Sequence, residues 1–169
     1  MQTSSAERNA RRILPIIRFM QTGLPLPLAQ RLNRTGTAHP RLNAGNTHAA
    51  CSADGVPCVW ITPANSRRDA VLLYLHWGGF VFGLTSLHLQ MVARLAEKMG
   101  VRALLVDYRL APQHPFPAAL EDCLAAYRWL LNQGIPASNI VVAGDSAGGN
   151  LTLTLLMRLR ENNEALPAA

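Results

Sequence analysis

Ile140-Val141-Val142-Ala143-Gly144-Asp145-Ser146-Ala147-Gly148-Gly149 reads as an apolar strand, a tight turn with a serine at its tip, and the first turn of a helix. Three β-branched residues in a row suit a buried strand. Glycines on both sides of Ser146 let the backbone turn sharply without a side-chain clash. Gly-x-Ser-x-Gly is a weak signal alone. Between a strand and a helix it becomes a strong one, because that turn exposes a hydroxyl nucleophile at the end of a sheet. The helix that starts at Ala147 aims its free N–H groups and positive dipole end near Ser146. The competing reading is a glycine-rich helix start that only packs closely.

Upstream, the same alternation of strand and helix recurs. Ala49 to Ser52 and Val56 to Thr62 flank Asp54-Gly55, a hairpin signal. Ala70 to Leu75 is an apolar strand. Ser86 to Met99 is helical, with Leu87, Met91, Leu95 and Met99 near one face, and Gly100 closes it. Arg102 to Val106 is the next strand. Pro117 to Asn132 is a helix with Leu120, Leu124, Tyr127 and Leu131 on one face. Ile140 to Ala143 and Ala147 to Arg160 complete the series. Short apolar strands alternating with helices predict a mostly parallel sheet covered on both faces, an α/β fold.

Residues 1–48 differ in character. They hold seven arginines and one acid, whereas residues 49–169 hold nine basic and nine acidic residues, so the net charge of +6 belongs to the N-terminal segment. No basic motif with interleaved aromatics supports nucleic-acid binding, which leaves a solvated helix face. Ile13, Ile16, Ile17 and Met20 share one helical face. Leu24 to Leu28, with Pro25 and Pro27, breaks that helix, and a second short one runs through Ala29 to Leu32. Residues 35–48 are polar and suit a linker. The domain reading is an N-terminal helical or cap segment over 1–48 and a core over 49–169.

Hydrophobic residues make up 49% of the 169-residue chain and charged residues 15%, which excludes a disordered protein. No apolar stretch approaches the roughly 20 residues of a membrane-spanning helix. The three cysteines, Cys51, Cys58 and Cys123, form no C-x-x-C pair. They predict free thiols, a reducing compartment and a cytoplasmic protein. No metal site or organic cofactor is expected.

A second constellation, His76-Trp77-Gly78-Gly79-Phe80, follows the strand ending at Leu75. Gly78 and Gly79 bring two backbone N–H groups close to a substrate oxygen, where fixed donors stabilise the negative charge of an acyl-transfer intermediate. The N–H of Ala147 would be a third donor. An ordinary glycine turn is the alternative. A third segment, Asp107 to Pro117, carries three prolines in six residues and predicts a rigid loop at a strand end.

Together these blocks resemble the hormone-sensitive-lipase family of α/β-hydrolases, especially its bacterial carboxylesterases. His76 to Phe80 resembles that family's H-G-G-G-F, Tyr108 to Ala119 its Y-R-L-A-P-E-H-P-F-P-A-A, and Gly144 to Gly149 its G-D-S-A-G-G. The likeness spans roughly residues 50–160 in order and spacing. It implies an α/β-hydrolase fold and hydrolysis of carboxylic esters, with Ser146 as nucleophile and Gly78, Gly79 and Ala147 as the oxyanion hole. It also implies supporting roles for His76, Gly144, Asp145 and Gly148, and a small ester of short to medium chain as substrate. Trp77 departs from the pattern by replacing the first glycine, and Gln113 by replacing a glutamate.

In such enzymes the triad follows the order Ser, then Asp or Glu, then His. No histidine follows Ser146, and the later acids are Glu161 and Glu164. The expectation is a core truncated after the nucleophile helix, inactive alone. Its last strand would form an exposed apolar edge open to aggregation or pairing with another chain. His76 reads as a loop brace, His88 and His114 as surface or packing residues, and His39 and His48 carry little signal. A non-catalytic ligand-binding protein on the same fold and a serine peptidase are the alternatives to an esterase.

Overall fold

The computed structural model describes residues 25–35, 42 and 44–169. The apolar face of Ile13, Ile16, Ile17 and Met20, His39, and half of the polar stretch 35–48 lie outside them. Helix α1 (Leu26–Thr35) precedes the hairpin strands β1 (Thr47–Ala53) and β2 (Val56–Thr62). Then follow β3 (Arg67–Leu75), α2 (Ser86–Met99), β4 (Val101–Val106), α3 (Ala118–Asn132), β5 (Ile140–Gly144) and α4 (Ala147–Glu161). α1 is the second helix expected at Ala29 to Leu32, and it starts earlier, so that it takes in Pro27. Pro27 falls in the first helical turn, where its missing N–H is no loss.

The sheet order is β1-β2-β4-β3-β5. The hairpin strands pair antiparallel, and β3 pairs parallel with both β4 and β5. β3 is therefore flanked on both sides, and Val71 to Leu75 are all buried. Side chains alternate between two cores. Val71, Leu73, Leu75, Val106 and Val142 pack with Leu124, Tyr127, Leu151 and Leu155 of α3 and α4. Leu72, Tyr74, Ala103 and Leu105 pack with Leu89, Val92, Ala93 and Ala96 of α2.

The stripe that identifies α2 in the sequence is not its buried face. Leu87, Met91, Leu95 and Met99 are exposed, and the sheet takes His88, Leu89, Val92, Ala93 and Ala96 instead. α2 carries two apolar stripes, and the one with small residues lets the helix approach the strands closely. Gly100 closes α2 in a left-handed conformation, with φ 65°. Cys51 and Cys58 face each other across the hairpin as free thiols.

The outer edge of β5 is not left wholly open. The Ala168 N–H donates to the Ile140 carbonyl at 2.8 Å, and the Val142 N–H donates to the Ala169 carbonyl at 2.8 Å. Residues 168 and 169 thus pair with β5 where the sequence predicts an exposed edge. Tyr127 Oη donates to the Ala165 carbonyl at 2.7 Å, and Arg128 Nε donates to Glu164 Oε2 at 2.8 Å, so α3 holds the tail that makes this contact.

Candidate active site

The parallel arrangement places the C-terminal ends of β3, β4 and β5 side by side, and the site is built from the loops that leave them. Leu75 pairs with Val106 on one side and with Gly144 on the other. The segments beginning at His76, Asp107 and Asp145 therefore leave the sheet at one edge.

Ser146 sits at the N-cap of α4 with φ 54° and ψ −120°, outside the regions that a non-glycine residue ordinarily occupies. A serine at a helix N-cap normally turns its hydroxyl back onto the backbone. Here the side chain makes no capping bond, and among the described residues the hydroxyl has no hydrogen-bond partner. Ser146 is exposed. Backbone strain and a spare hydroxyl coincide at one residue, the pattern of a functional turn.

The two flanking glycines are required by close approach. A Cβ on Gly148 would lie 1.9 Å from the Leu75 carbonyl oxygen, and one on Gly144 would lie 2.5 Å from the Gly148 backbone. These contacts press the start of α4 against the end of β3, which brings Ser146 beside the loop that starts at His76. Asp145 accepts a hydrogen bond from Tyr74 Oη at 2.7 Å, an anchor that sequence reasoning did not identify. Burial and this carboxylate both raise the Tyr74 pKa, so the phenol stays a donor.

Gly78 has φ 142°, Gly79 φ 59° and Phe80 φ 63°. A Cβ on Gly78 would lie 2.2 Å from the Phe82 carbonyl oxygen. The Gly78 carbonyl accepts from the N–H groups of Val81 and Phe82 at 3.0 and 2.9 Å, closing the loop into a turn. Among the described residues the N–H groups of Gly78, Gly79 and Ala147 donate to no carbonyl. Three free donors thus belong to the two turns that meet beside β3.

His76 is fully buried. Its Nδ1 lies 2.7 Å from the Trp77 carbonyl, and its ring stacks on Tyr108 at 4.1 Å. Burial pushes its pKa down, so the ring is held neutral. His88 is buried rather than on the surface, and His48 and His114 are exposed. Trp77 turns its ring onto His88, with centroids 3.5 Å apart.

The Pro-rich loop is tied down by Asp122, which is buried and accepts from the Arg109 backbone N–H at 2.7 Å and from Arg109 Nε at 2.9 Å. Helix α1 clasps both loops from outside. Gln30 Nε2 donates to the Val81 carbonyl at 2.8 Å and the Ala111 carbonyl at 3.0 Å, and Asn33 Nδ2 donates to the Gly83 carbonyl at 3.1 Å. Gln113 Nε2 donates to Gln30 Oε1 at 3.2 Å, which gives Gln113 a use for the amide that a glutamate lacks. No sequence motif marks this clasp.

Two cavities flank the Pro-rich loop. One of about 530 Å³ is lined by Gln30, Val81, Asp107, Tyr108 and Gln113. The other, about 390 Å³ and mostly apolar, is lined by Gly79, Phe80, Phe116, Leu120, Asn150 and Leu151. Among the described residues no cluster of three or more His, Cys, Asp or Glu side chains is placed to hold a metal ion. No helix among them is long and apolar enough to cross a membrane.

Comparison with known proteins agrees with this fold. A family model described as the alpha/beta hydrolase fold matches residues 72–169. The chain is 37% identical over 163 residues to a putative acetyl-hydrolase, LipR, of Mycobacterium tuberculosis, covering 91% of this chain and 53% of that protein. It is 40% identical over 151 residues to the carboxylesterase/phospholipase LipF of the same organism, covering 86% and 39%. Among solved structures, an esterase from the bacterial hormone-sensitive lipase family superposes with a TM-score of 0.84 at 39% identity, over 99% of this chain and 56% of that one. The chain spans 39% to 56% of the length of these three proteins.

Proposed function

The chain belongs to the α/β-hydrolase family, of the hormone-sensitive-lipase type, and from that premise we propose that it carries the nucleophile and oxyanion hole of a carboxylic ester hydrolase. Ser146 Oγ attacks the ester carbonyl, the alcohol leaves, and water later releases the acid from the acyl-enzyme. The N–H groups of Gly78, Gly79 and Ala147 hold the tetrahedral oxyanion, each worth about 3 kcal/mol of barrier. The substrate is a small ester of short to medium acyl chain, and residues 1–48 act as a cap on the core. The observation that carries the reading is the strained Ser146 turn, whose hydroxyl is unpaired among the described residues, beside three N–H groups unpaired among the same residues.

A serine hydroxyl needs a base. His76 is a poor candidate, because it is buried with Nδ1 already engaged at the Trp77 carbonyl. In this fold class the base follows the nucleophile, and no histidine follows Ser146 in these residues. The reading has an Asp–His pair as the base of the whole enzyme and very low turnover by the 169-residue chain alone.

The test is hydrolysis of p-nitrophenyl butyrate by this chain beside Ser146→Ala, with a peptide p-nitroanilide in parallel. The expected result is weak ester turnover, or none, with no peptide cleavage. Robust turnover lost in Ser146→Ala would overturn the inactivity and keep the nucleophile. Robust turnover surviving in Ser146→Ala would overturn the nucleophile.

A further inference from the structure

Trp77 stands at the first glycine of the H-G-G-G-F pattern that this loop resembles, and the fold gives its ring a seat. The carbonyl of the Trp77–Gly78 peptide lies 2.7 Å from His76 Nδ1. A carbonyl only accepts, so Nδ1 carries the proton. A trans peptide holds its C=O and N–H on opposite sides of one plane. Whatever fixes the Trp77 carbonyl therefore fixes the direction of the Gly78 N–H.

His76 supplies one hold on that peptide. It is itself immobilised by stacking on Tyr108 and by the hydrogen bond from Tyr108 Oη to the His76 carbonyl, 2.7 Å. The indole supplies a second. The Trp77 ring lies 3.5 Å from the His88 ring, and the His88 ring meets His76 edge-on at 5.3 Å. His88 is locked to the start of α2, because its Nδ1 accepts the Thr85 N–H at 2.9 Å. That bond leaves the ring proton on Nε2, which is buried without a hydrogen-bond partner. A simple cap for α2 would not need a ring in this place. A glutamine at this third helical position would return the same bond to the N-cap N–H of Thr85.

We propose that His88 is a positioning residue for the oxyanion hole: seated on the N-terminus of α2, it holds the Trp77 ring and so orients the Gly78 N–H. The inference rests on the reading of Gly78 as an oxyanion donor, and it gives the Trp77 replacement a function. The ring fastens the loop to α2 rather than filling a substrate pocket.

The test measures backbone order by ¹⁵N relaxation on the labelled 169-residue protein at neutral pH. His88→Asn keeps an acceptor for the Thr85 N–H but removes the ring. His88→Phe keeps a ring beneath Trp77 but removes the acceptor. The expected result is that the Gly78 and Gly79 order parameters fall from about 0.85 to below about 0.6 in His88→Asn and stay high in His88→Phe. Should either variant fail to fold, Trp77→Leu decides: the two glycines lose order while the Thr85 amide keeps its wild-type value. Unchanged glycines in His88→Asn or in Trp77→Leu would overturn the proposal. The readout uses no ester, so its failure leaves the esterase reading standing, and ester turnover that survives in Ser146→Ala would count against that reading alone.

Discussion

Gly148 of the Ser146 turn and Gly79 of the loop beside it show how unequal the glycines of one site are. A Cβ on Gly148 would meet the Leu75 carbonyl at 1.9 Å, whereas one on Gly79 would meet nothing within 4 Å. Gly79→Ala therefore costs only the left-handed backbone, about 1–2 kcal/mol. Gly148→Ala must push α4 off β3, which places it at or above the upper end of the roughly 1–3 kcal/mol typical of overpacking. Urea unfolding of the two variants should rank them in that order. His88 makes a second prediction at this scale. Burial, reinforced by His76, pushes its pKa down to about 4. The unfolded chain then binds more protons than the folded one between that value and the ordinary value of about 6.5. Stability is full above about pH 6.5 and declines as pH falls to about 4. His88→Asn should flatten that part of the urea-midpoint profile, though the neutral, buried His76 leaves a residual slope. The elbow glycines and the paired glycines were legible in the sequence because their spacing is itself the geometry. The seat of Trp77 was not, since eleven residues separate it from His88 and only the packing of α2 brings them together.

At the scale of elements, the strands from β2 to β5 and the helices α3 and α4 were legible because their apolar periods match their burial. The facing of α2 was not. Its larger stripe, Leu87 to Met99, points to solvent, because the sheet selects the residues that allow the closer approach and not the most apolar ones. Nor did the sequence mark α1 as a clasp, since Gln30 and Asn33 are polar and carry no motif. Their hydrogen bonds reach three carbonyls on two loops, at Val81, Ala111 and Gly83. Each such bond is worth about 0.5–1.5 kcal/mol net. Gln30→Ala with Asn33→Ala should therefore release α1 while leaving the core folded. Hydrogen exchange is the check: α1 amides exchange faster in the double variant, and β3 and β4 amides keep their protection. Asp122 anchors the neighbouring loop more firmly, because it is buried and its bonds carry charge. Asp122→Ala should cost about 1.5–3 kcal/mol by urea unfolding. Part of the pair's charge is screened on the half-exposed Arg109 side.

Across the whole molecule, the outer edge of β5 is where residues 168 and 169 pair with the sheet. An unpaired row of backbone groups on an apolar strand is a template for another chain. Here Ala168 and Ala169 supply two backbone hydrogen bonds to that row, and Tyr127 and Arg128 hold the residues just before them. The magnitudes say which of these holds matters. The Arg128–Glu164 pair lies at the surface, with side chains 45% and 25% exposed. Arg128, with help from Asn162, lowers the Glu164 pKa to about 2. Its stabilising effect is thus complete above about pH 4.5 and fades as pH falls to about 2. An ion pair so open to solvent is worth no more than about 1 kcal/mol. Glu164→Ala should leave the tail docked and the protein monomeric at neutral pH. Deleting residues 165–169 removes the Tyr127 partner and both edge hydrogen bonds at once, and uncovers the N–H of Val142 and the carbonyl of Ile140. Sedimentation velocity at matched concentration should show the deletion variant associating while the 169-residue chain and Glu164→Ala stay monomeric. Equal association by all three would mean that the tail does not guard the edge, and that another surface governs contact between copies.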